Sequence, residues 1–463
     1  GASCKWGNLH TMTIYAEEFS GWATKLKTQD IPSDVQEVLN FLVKDISGVI
    51  VAARNEDYIQ SLIKTYSNTG NIIALGHKNV FDVFSSSIIC GTAAHGEDFD
   101  DTFEGNPMHV GATMVSTFLS AGQFFKLNGE QILKGIAIGA ELICRMALVS
   151  PTAMHKQGFH PTSICSVFGA TAGLGAVLGL NQKQLSSALG VAGSMSSGII
   201  EYLAEGTWTK RIHPGWAASS GIHAALLGRS DFLGPRTVFE GTHGFFKAFT
   251  IKEIEKDFSH LIEGLGTRWE CKNLAFKPYA CGTMAQPFVD CAIQLKKQIS
   301  DLSQIKSIKA KVGEGTVHRL WEPRAEKNNP STPYSAKFSV PYCVAVALVK
   351  GGAGLEEFNE TNIKDPEILK IANLMTYDID PNDEYPKNYT GTLIVETVDG
   401  KTIEAKQPCF RGGKKQPLTK EDFDSKFNKN LKYAKLNDDQ SKQLEEFTNS
   451  IFANTDFSKI NLF

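Results

Sequence analysis

ICSVFGATAGLGAVLGL, residues Ile164 to Leu180, is uncharged for its whole length and decides what kind of molecule the chain can be. Seventeen residues lie at the lower limit for crossing a bilayer. The stretch is rich in Gly and Ala and is flanked by His160 and Gln182-Lys183, which favours a helix buried in protein. Gly169, Ala170, Gly173 and Ala176 would let neighbouring helices approach closely, as helix-packed cores and dimer interfaces require. A second small-residue run, Ala188 to Ile200, follows it.

The surrounding segments carry the same helical signature. In Ser33 to Ile50, Val35, Val38, Leu39, Leu42, Ile46 and Val49 recur at the spacing of one helix face, and Ser33 with Gln36 resembles a capping box. Further helices are predicted over Phe81–Ala94, Gly111–Leu127, Gly129–Met146 and Gly215–Leu227. Beyond Gly264–Leu274 the pattern changes. Ile308, Ala310 and Val312 alternate with Lys309 and Lys311, and Leu393–Val398 runs into Asp399-Gly400, a hairpin signal. Helices are predicted between these strands at Ala285–Ile299 and Tyr334–Val349. Cap patterns at Thr419–Asp422 and Asn437–Gln440 return the chain to helix. The fold class expected is mainly α: a large all-helical domain (12–268 and 409–463) interrupted by a smaller α+β domain (269–408).

The chain has 463 residues, 42% hydrophobic and 21% charged, with a formal net charge of -3, which suits a globular protein with a sizeable core. It has no basic block, so nucleic acid and membrane are not expected as partners. Nine cysteines are scattered without a Cys-x-x-Cys pair, and their odd number argues for a reducing compartment. With no signal-peptide pattern at the N-terminus, a cytoplasmic location is expected. There is no internal repeat, dinucleotide fingerprint, P-loop or closed metal-ligand spacing, so no cofactor and no metal are implied.

The chemistry concentrates in HGEDFDDTFEGNPMH, residues 95–109, which sets Asp98, Asp100 and Asp101 between two histidines and two apolar helical segments. Carboxylates are rarely buried unless paired, so such a cluster demands donors, cations or a cleft. A solvated loop or a helix cap is the plainer alternative. His160-Pro161 and His213-Pro214 each precede an Ala/Ser/Gly-rich segment, and Pro at the first helical position would place each histidine at a helix N-terminus. Such an end attracts anions, and Thr162 and Ser163 would add hydroxyl donors. Lys210 and Arg211 precede His213 and offer fixed positive charge for a substrate carboxylate.

Together these segments resemble the MmgE/PrpD family, which includes 2-methylcitrate dehydratases, cis-aconitate decarboxylases and iminodisuccinate epimerases. The matching features are Asp98-Phe-Asp-Asp-Thr102 followed by His109, Gly158-Phe-His-Pro161, Trp208-Thr-Lys-Arg-Ile-His-Pro-Gly215, Gly234-Pro with Glu240-Gly, and Ala336-Lys-Phe-Ser339. The resemblance implies a homodimer whose helical domain carries an α+β lid, with a site between the domains that works without metal or organic cofactor. It places Asp98, Thr102, His109, His160 and Lys210 on active-site positions, with His213 adjacent. Two departures stand out. The acidic loop is one residue longer between Thr102 and His109 than in the decarboxylases. Where those carry a histidine in the lid, this chain reads Lys277-Pro-Tyr-Ala-Cys281, which leaves dehydration or epimerisation more open.

The reaction expected is the cofactor-independent dehydration of a 2-methylcitrate-like di- or tricarboxylic acid. His109 and His160 would transfer protons, with the base unassigned between them. Lys210, Arg211, His213 and Lys277 would bind substrate carboxylates, Thr102 would donate a hydrogen bond and Asp98 would orient a histidine. Cys281 is either a small buried hydrophobe or, with Lys277 nearby, a proton-transfer thiol. Epimerisation of an amino- or imino-dicarboxylate and cis-aconitate-type decarboxylation are the alternatives within the family. Outside it, Asp98-Phe-Asp-Asp101 is also the Asp-x-Asp-Asp string of terpene cyclases, and a non-catalytic helical scaffold is the remaining alternative.

Overall fold

The structure, a computed structural model, describes residues 12–66, 70–104 and 106–453. The N-terminal stretch with Cys4, and Gly105 of the acidic loop, lie outside the described residues. The chain divides into two compact units. The first comprises 1–96, 101–274 and 436–463, and the second 97–100 and 275–435.

The first unit is helical. Its main elements are α1 (Ser33–Ala52), α2 (Val83–His95), α3 (Gly111–Phe124), α4 (Gly129–Val149), α5 (Pro161–Val177), α6 (Gln182–Gly193) and α7 (Thr209–Arg229). Val35, Leu39, Leu42, Ile46 and Val49 of α1 are at most 1% exposed. Each such side chain contributes roughly 1.5–3 kcal/mol on burial. Ser33 and Gln36 form no capping box: Pro32 is the N-cap, and Gln36 donates instead to the Ile31 carbonyl at 2.8 Å. α2 starts at Val83 because the Asp82 carboxylate accepts the Phe84 and Ser85 N–H groups at 3.0 and 2.9 Å.

The uncharged stretch forms most of α5, and among the described residues no helix is long and apolar enough to cross a membrane. Its small residues serve packing. A Cβ on Gly173 would lie 2.2 Å from the Gly135 carbonyl oxygen of α4, so any larger residue would force the helices apart. α4 also carries a buried ion pair, Arg145 Nε to Glu141 Oε2 at 2.6 Å. Arg145 donates onward to the carbonyls of His260, Glu263 and Arg268, while Glu141 accepts from the N–H groups of Glu270 and Cys271. With both charges hydrogen-bonded, the desolvation penalty is offset and irregular chain is tied to the helix.

The second unit is α+β. Strands β1 (Ile305–Val312), β2 (Met375–Ile379), β3 (Gly391–Thr397) and β4 (Thr402–Gln407) form a sheet in the order β2-β1-β3-β4, with β1 and β2 parallel and the other pairs antiparallel. Ile308, Ala310 and Val312 turn inward, while Lys309 and Lys311 reach Asp378 on the other face. β3 and β4 pair as the hairpin around Asp399-Gly400, where Gly400 takes a φ of +85°. Against the sheet packs α8 (Gln286–Gln298), which in turn packs on α9 (Val340–Lys350).

The single helix expected over Tyr334–Val349 is two, Pro333–Ala336 and α9. The Ser339 hydroxyl caps α9 by accepting the Tyr342 N–H at 3.1 Å, and Pro341 sits in its first turn. The units also divide elsewhere than at 268/269 and 408/409. α10 (Lys420–Tyr433) belongs to the second unit, where Phe423 packs edge-on against Phe276 and Asp422 meets Arg411 at 3.4 Å. The helix Asp438–Ser450, capped by Asn437 and Gln440, returns to the first.

Candidate active site

The helical unit gathers four imidazoles from four separate places in the chain. His95 ends α2, His109 lies just before α3, His160 is the N-cap of α5, and His213 lies near the start of α7. The crossing of α2 and α7 makes this possible. A Cβ on Gly91 would come within 2.4 Å of the Gly215 Cα, so these two backbones touch and carry His95 and His213 to one locality. Ring centroids are 4.8 Å apart for His95 and His109, 5.7 Å for His95 and His160, and 5.1 Å for His160 and His213. Tyr202 adds a ring 6.1 Å from His160 and 5.9 Å from His213.

Hydrogen bonds set how these rings can act. His109 Nδ1 is 2.8 Å from the Asp101 carbonyl oxygen; a carbonyl only accepts, so Nδ1 carries the proton and Nε2 is the basic nitrogen of the neutral ring. The Asp101 carboxylate accepts the N–H groups of Val110 and Gly111 at the start of α3, at 3.2 and 3.1 Å. His160 and His213 face each other through Nδ1, 2.9 Å apart, so one donates and the other accepts. Burial foremost, then His95, Lys210, His213 and His109, hold His160 well below the ordinary imidazole range. Burial, then His95 and Lys210, push His213 down to about 4. Both rings are therefore neutral near pH 7.

Several expected roles change in detail. α7 begins at Thr209, so His213 lies inside the helix rather than at its N-terminus, and Pro214 is accommodated within it. Ser163 Oγ donates its proton to the Ser197 carbonyl, whereas Thr162 Oγ1 accepts the His109 N–H at 3.0 Å. Arg211 lays its guanidinium over the Tyr58 ring, 4.2 Å from the centroid. Lys210 lies in the first turn of α7, and its charge is among those that keep His160 and His213 neutral. Thr102 Oγ1 is buried with no hydrogen-bond partner among the described residues.

The second unit holds the other expected residues. Asp98 has a φ of +53°, the left-handed region that costs a non-glycine residue energy, and its neighbours hold it there. Lys337, Lys277 and Lys426 donate to three successive carbonyls, Glu97, Asp98 and Phe99, at 3.0, 3.0 and 2.9 Å. All three ammonium-bearing side chains are buried. The Asp98 carboxylate accepts the Tyr334 hydroxyl at 2.6 Å. With Asp101 serving as a helix cap and Asp98 held by Tyr334, two of the three carboxylates of the Asp-x-Asp-Asp string are committed to protein donors. Cys281 is 0% exposed and its thiol accepts from Gln286 Nε2 at 3.4 Å.

His95, Asp101, Tyr202, Tyr334, Lys337 and Lys426 enter these arrangements without having been assigned a role from sequence. His95 and Asp101 were inside the quoted acidic stretch, and Tyr334 and Lys337 lie in or beside Ala336-Lys-Phe-Ser339. Tyr202 and Lys426 carried no signal of their own.

Fold and histidine cluster together describe a mainly helical protein equipped for proton transfer. Residues 17–256 match the MmgE/PrpD N-terminal domain and residues 279–450 the MmgE/PrpD C-terminal domain, and the chain belongs to this family. It is 24% identical over 474 residues to the cis-aconitate decarboxylase of Aspergillus terreus, covering 96% of this chain and 94% of that protein. To the cis-aconitate decarboxylase-like protein oryM of Aspergillus oryzae it is 22% identical over 466 residues, covering 96% and 95%. The Homo sapiens cis-aconitate decarboxylase is 26% identical over 359 residues, covering 74% and 72%. These likenesses support an enzyme of the lyase type.

Proposed function

We propose that the protein is a cofactor-independent lyase for a small di- or tricarboxylic acid, and that its site best suits dehydration of a 2-methylcitrate-like hydroxy acid. The carrying observation is the pair of neutral, mutually hydrogen-bonded imidazoles His160 and His213, 2.9 Å apart, beside His109 and the fixed charge of Lys210. A neutral imidazole is the form needed to take a proton. His160 is the base that removes the proton next to a substrate carboxylate. His109 is the acid: the Asp101 carbonyl serves its Nδ1–H as well in the imidazolium as in the neutral ring, and Nε2 delivers the proton to the departing hydroxyl. Lys210 stabilises the dianionic carboxylate that develops, and the Thr102 hydroxyl donates to the substrate.

Decarboxylation of a cis-aconitate-like acid is a second reading, favoured by the names of the relatives. Epimerisation through Cys281 has less support, because that thiol is fully buried and faces Gln286. A homodimer is also proposed, supported by the exposed apolar side chains Ile199, Leu203, Trp208, Trp216, Phe232 and Leu233. Incubation with citrate, 2-methylcitrate, cis-aconitate and iminodisuccinate, followed by proton NMR in deuterated water, separates the reactions. Dehydration produces vinyl or allylic signals with all carboxylates retained, decarboxylation loses one carboxylate, and epimerisation only exchanges deuterium.

A further inference from the structure

We infer that His213 is the positioning residue of His160: its Nδ1 lone pair accepts the Nδ1–H of His160, which fixes His160 as the tautomer whose Nε2 is basic. As the orienter of a base the inference rests on the reaction proposed above, but the pairing itself stands on geometry. The two Nδ1 atoms are 2.9 Å apart, a hydrogen-bond distance that requires one of them to carry a proton and the other to accept it. If His213 donated it, His160 would carry its remaining proton at Nε2 and offer no base. If His160 donates it, Nε2 takes the substrate proton, the Nδ1–H···Nδ1 bond becomes charge-assisted, and one positive charge spreads over two rings.

The surroundings are built to hold this pair. His160 is fixed from the backbone side, its N–H donating to the Gly198 carbonyl at 2.9 Å while Ser163 Oγ donates to the Ser197 carbonyl next to it. Gly198 adopts a φ of +130°, and a Cβ there would meet Ser163 Oγ at 2.4 Å and His213 Cε1 at 3.3 Å. The turn therefore passes against both His213 and the residue that caps it, and only glycine fits. Among the described residues, His95, His109, Lys210 and Tyr202 also face the pair. Burial and the cationic or ionisable neighbours keep both rings neutral until substrate supplies a proton.

The test uses full-length protein with nitrogen-15-labelled histidine, read by long-range proton–nitrogen correlation at pH 7.5 without substrate, alongside steady-state kinetics. Wild type is expected to show His160 with a protonated Nδ1 and a bare Nε2, and His213 with a bare Nδ1. His213→Phe is expected to mix the His160 tautomers and lower kcat about 10- to 100-fold, the order found when an imidazole loses its orienting partner, with KM changing less. His213→Asn, whose side-chain oxygen can accept the same proton, should restore the single tautomer and most of kcat. Gly198→Ala should perturb the same resonances, because its Cβ would press on Ser163 and His213. A His160 that carries its proton on Nε2 in wild type overturns the inference, as does a His213→Phe variant with unchanged His160 resonances. Because the spectra need no substrate, a mistaken reaction and a mistaken pairing fail in different measurements.

Discussion

Lys277 gives an ammonium proton to the backbone carbonyl of Asp98 at 3.0 Å, between Lys337 on Glu97 and Lys426 on Phe99. The side chain thereby helps to hold the chain that presents Asp98. Lys277→Met should lower stability by about 1–3 kcal/mol, because a buried carbonyl loses its donor. Urea unfolding of the isolated variant measures this. A normal midpoint with a raised KM would return Lys277 to substrate binding.

Lys210→Ala is expected to fold normally and to turn over about 10²- to 10³-fold more slowly, since a fixed cation facing developing charge stabilises the transition state more than the ground state. The same change removes one of the charges that hold His160 and His213 neutral, so the acidic limb of the rate profile should move to higher pH. Parent-like turnover would leave Lys210 a bystander.

Acidification should weaken the helical unit. His213 binds its proton at about 4 when folded, against about 6.5 for a free imidazole, so between these values the unfolded chain holds more protons. The stability is complete above pH 6.5 and is lost as pH falls, by up to about 3 kcal/mol from this residue; His160 acts in the same direction. The urea midpoint of the wild type should therefore drop more steeply from pH 7.5 to pH 5 than that of His213→Phe. Parallel profiles would contradict the buried neutral pair.

Cys281→Ser should cost little activity, because the thiol is enclosed beside Gln286 and serves packing. Near-total loss in a folded protein, with substrate protecting the cysteine from alkylation, would favour the epimerase reading instead.

The period of apolar residues made α1 and the strand Ile305–Val312 legible, since both repeat one inward face. His160 was legible at an N-cap because Pro161 marks the helix start. What stayed hidden has a common cause: hydrogen-bond partners distant in sequence. Nothing near Lys277 points to Asp98, nothing near Thr162 points to His109, and Arg211 gives no sign that it covers Tyr58. Pro214 misled for a different reason. It has the preferred chemistry for a first helical position, but α7 begins five residues earlier and absorbs the missing N–H. The division of α10 from the returning helix Asp438–Ser450 was likewise set by tertiary contacts of Phe423 and Asp422, which local pattern does not encode.

The most direct measurement is the rate of product formation from 2-methylcitrate, followed by proton NMR after exhaustive chelation, for wild type, His160→Gln and His109→Gln. Chelated wild type is expected to form the unsaturated tricarboxylate, and each variant, folded as the parent, to slow about 10²- to 10⁴-fold. Undiminished turnover by either variant, or activity that disappears with chelation and returns with one divalent metal, would contradict it.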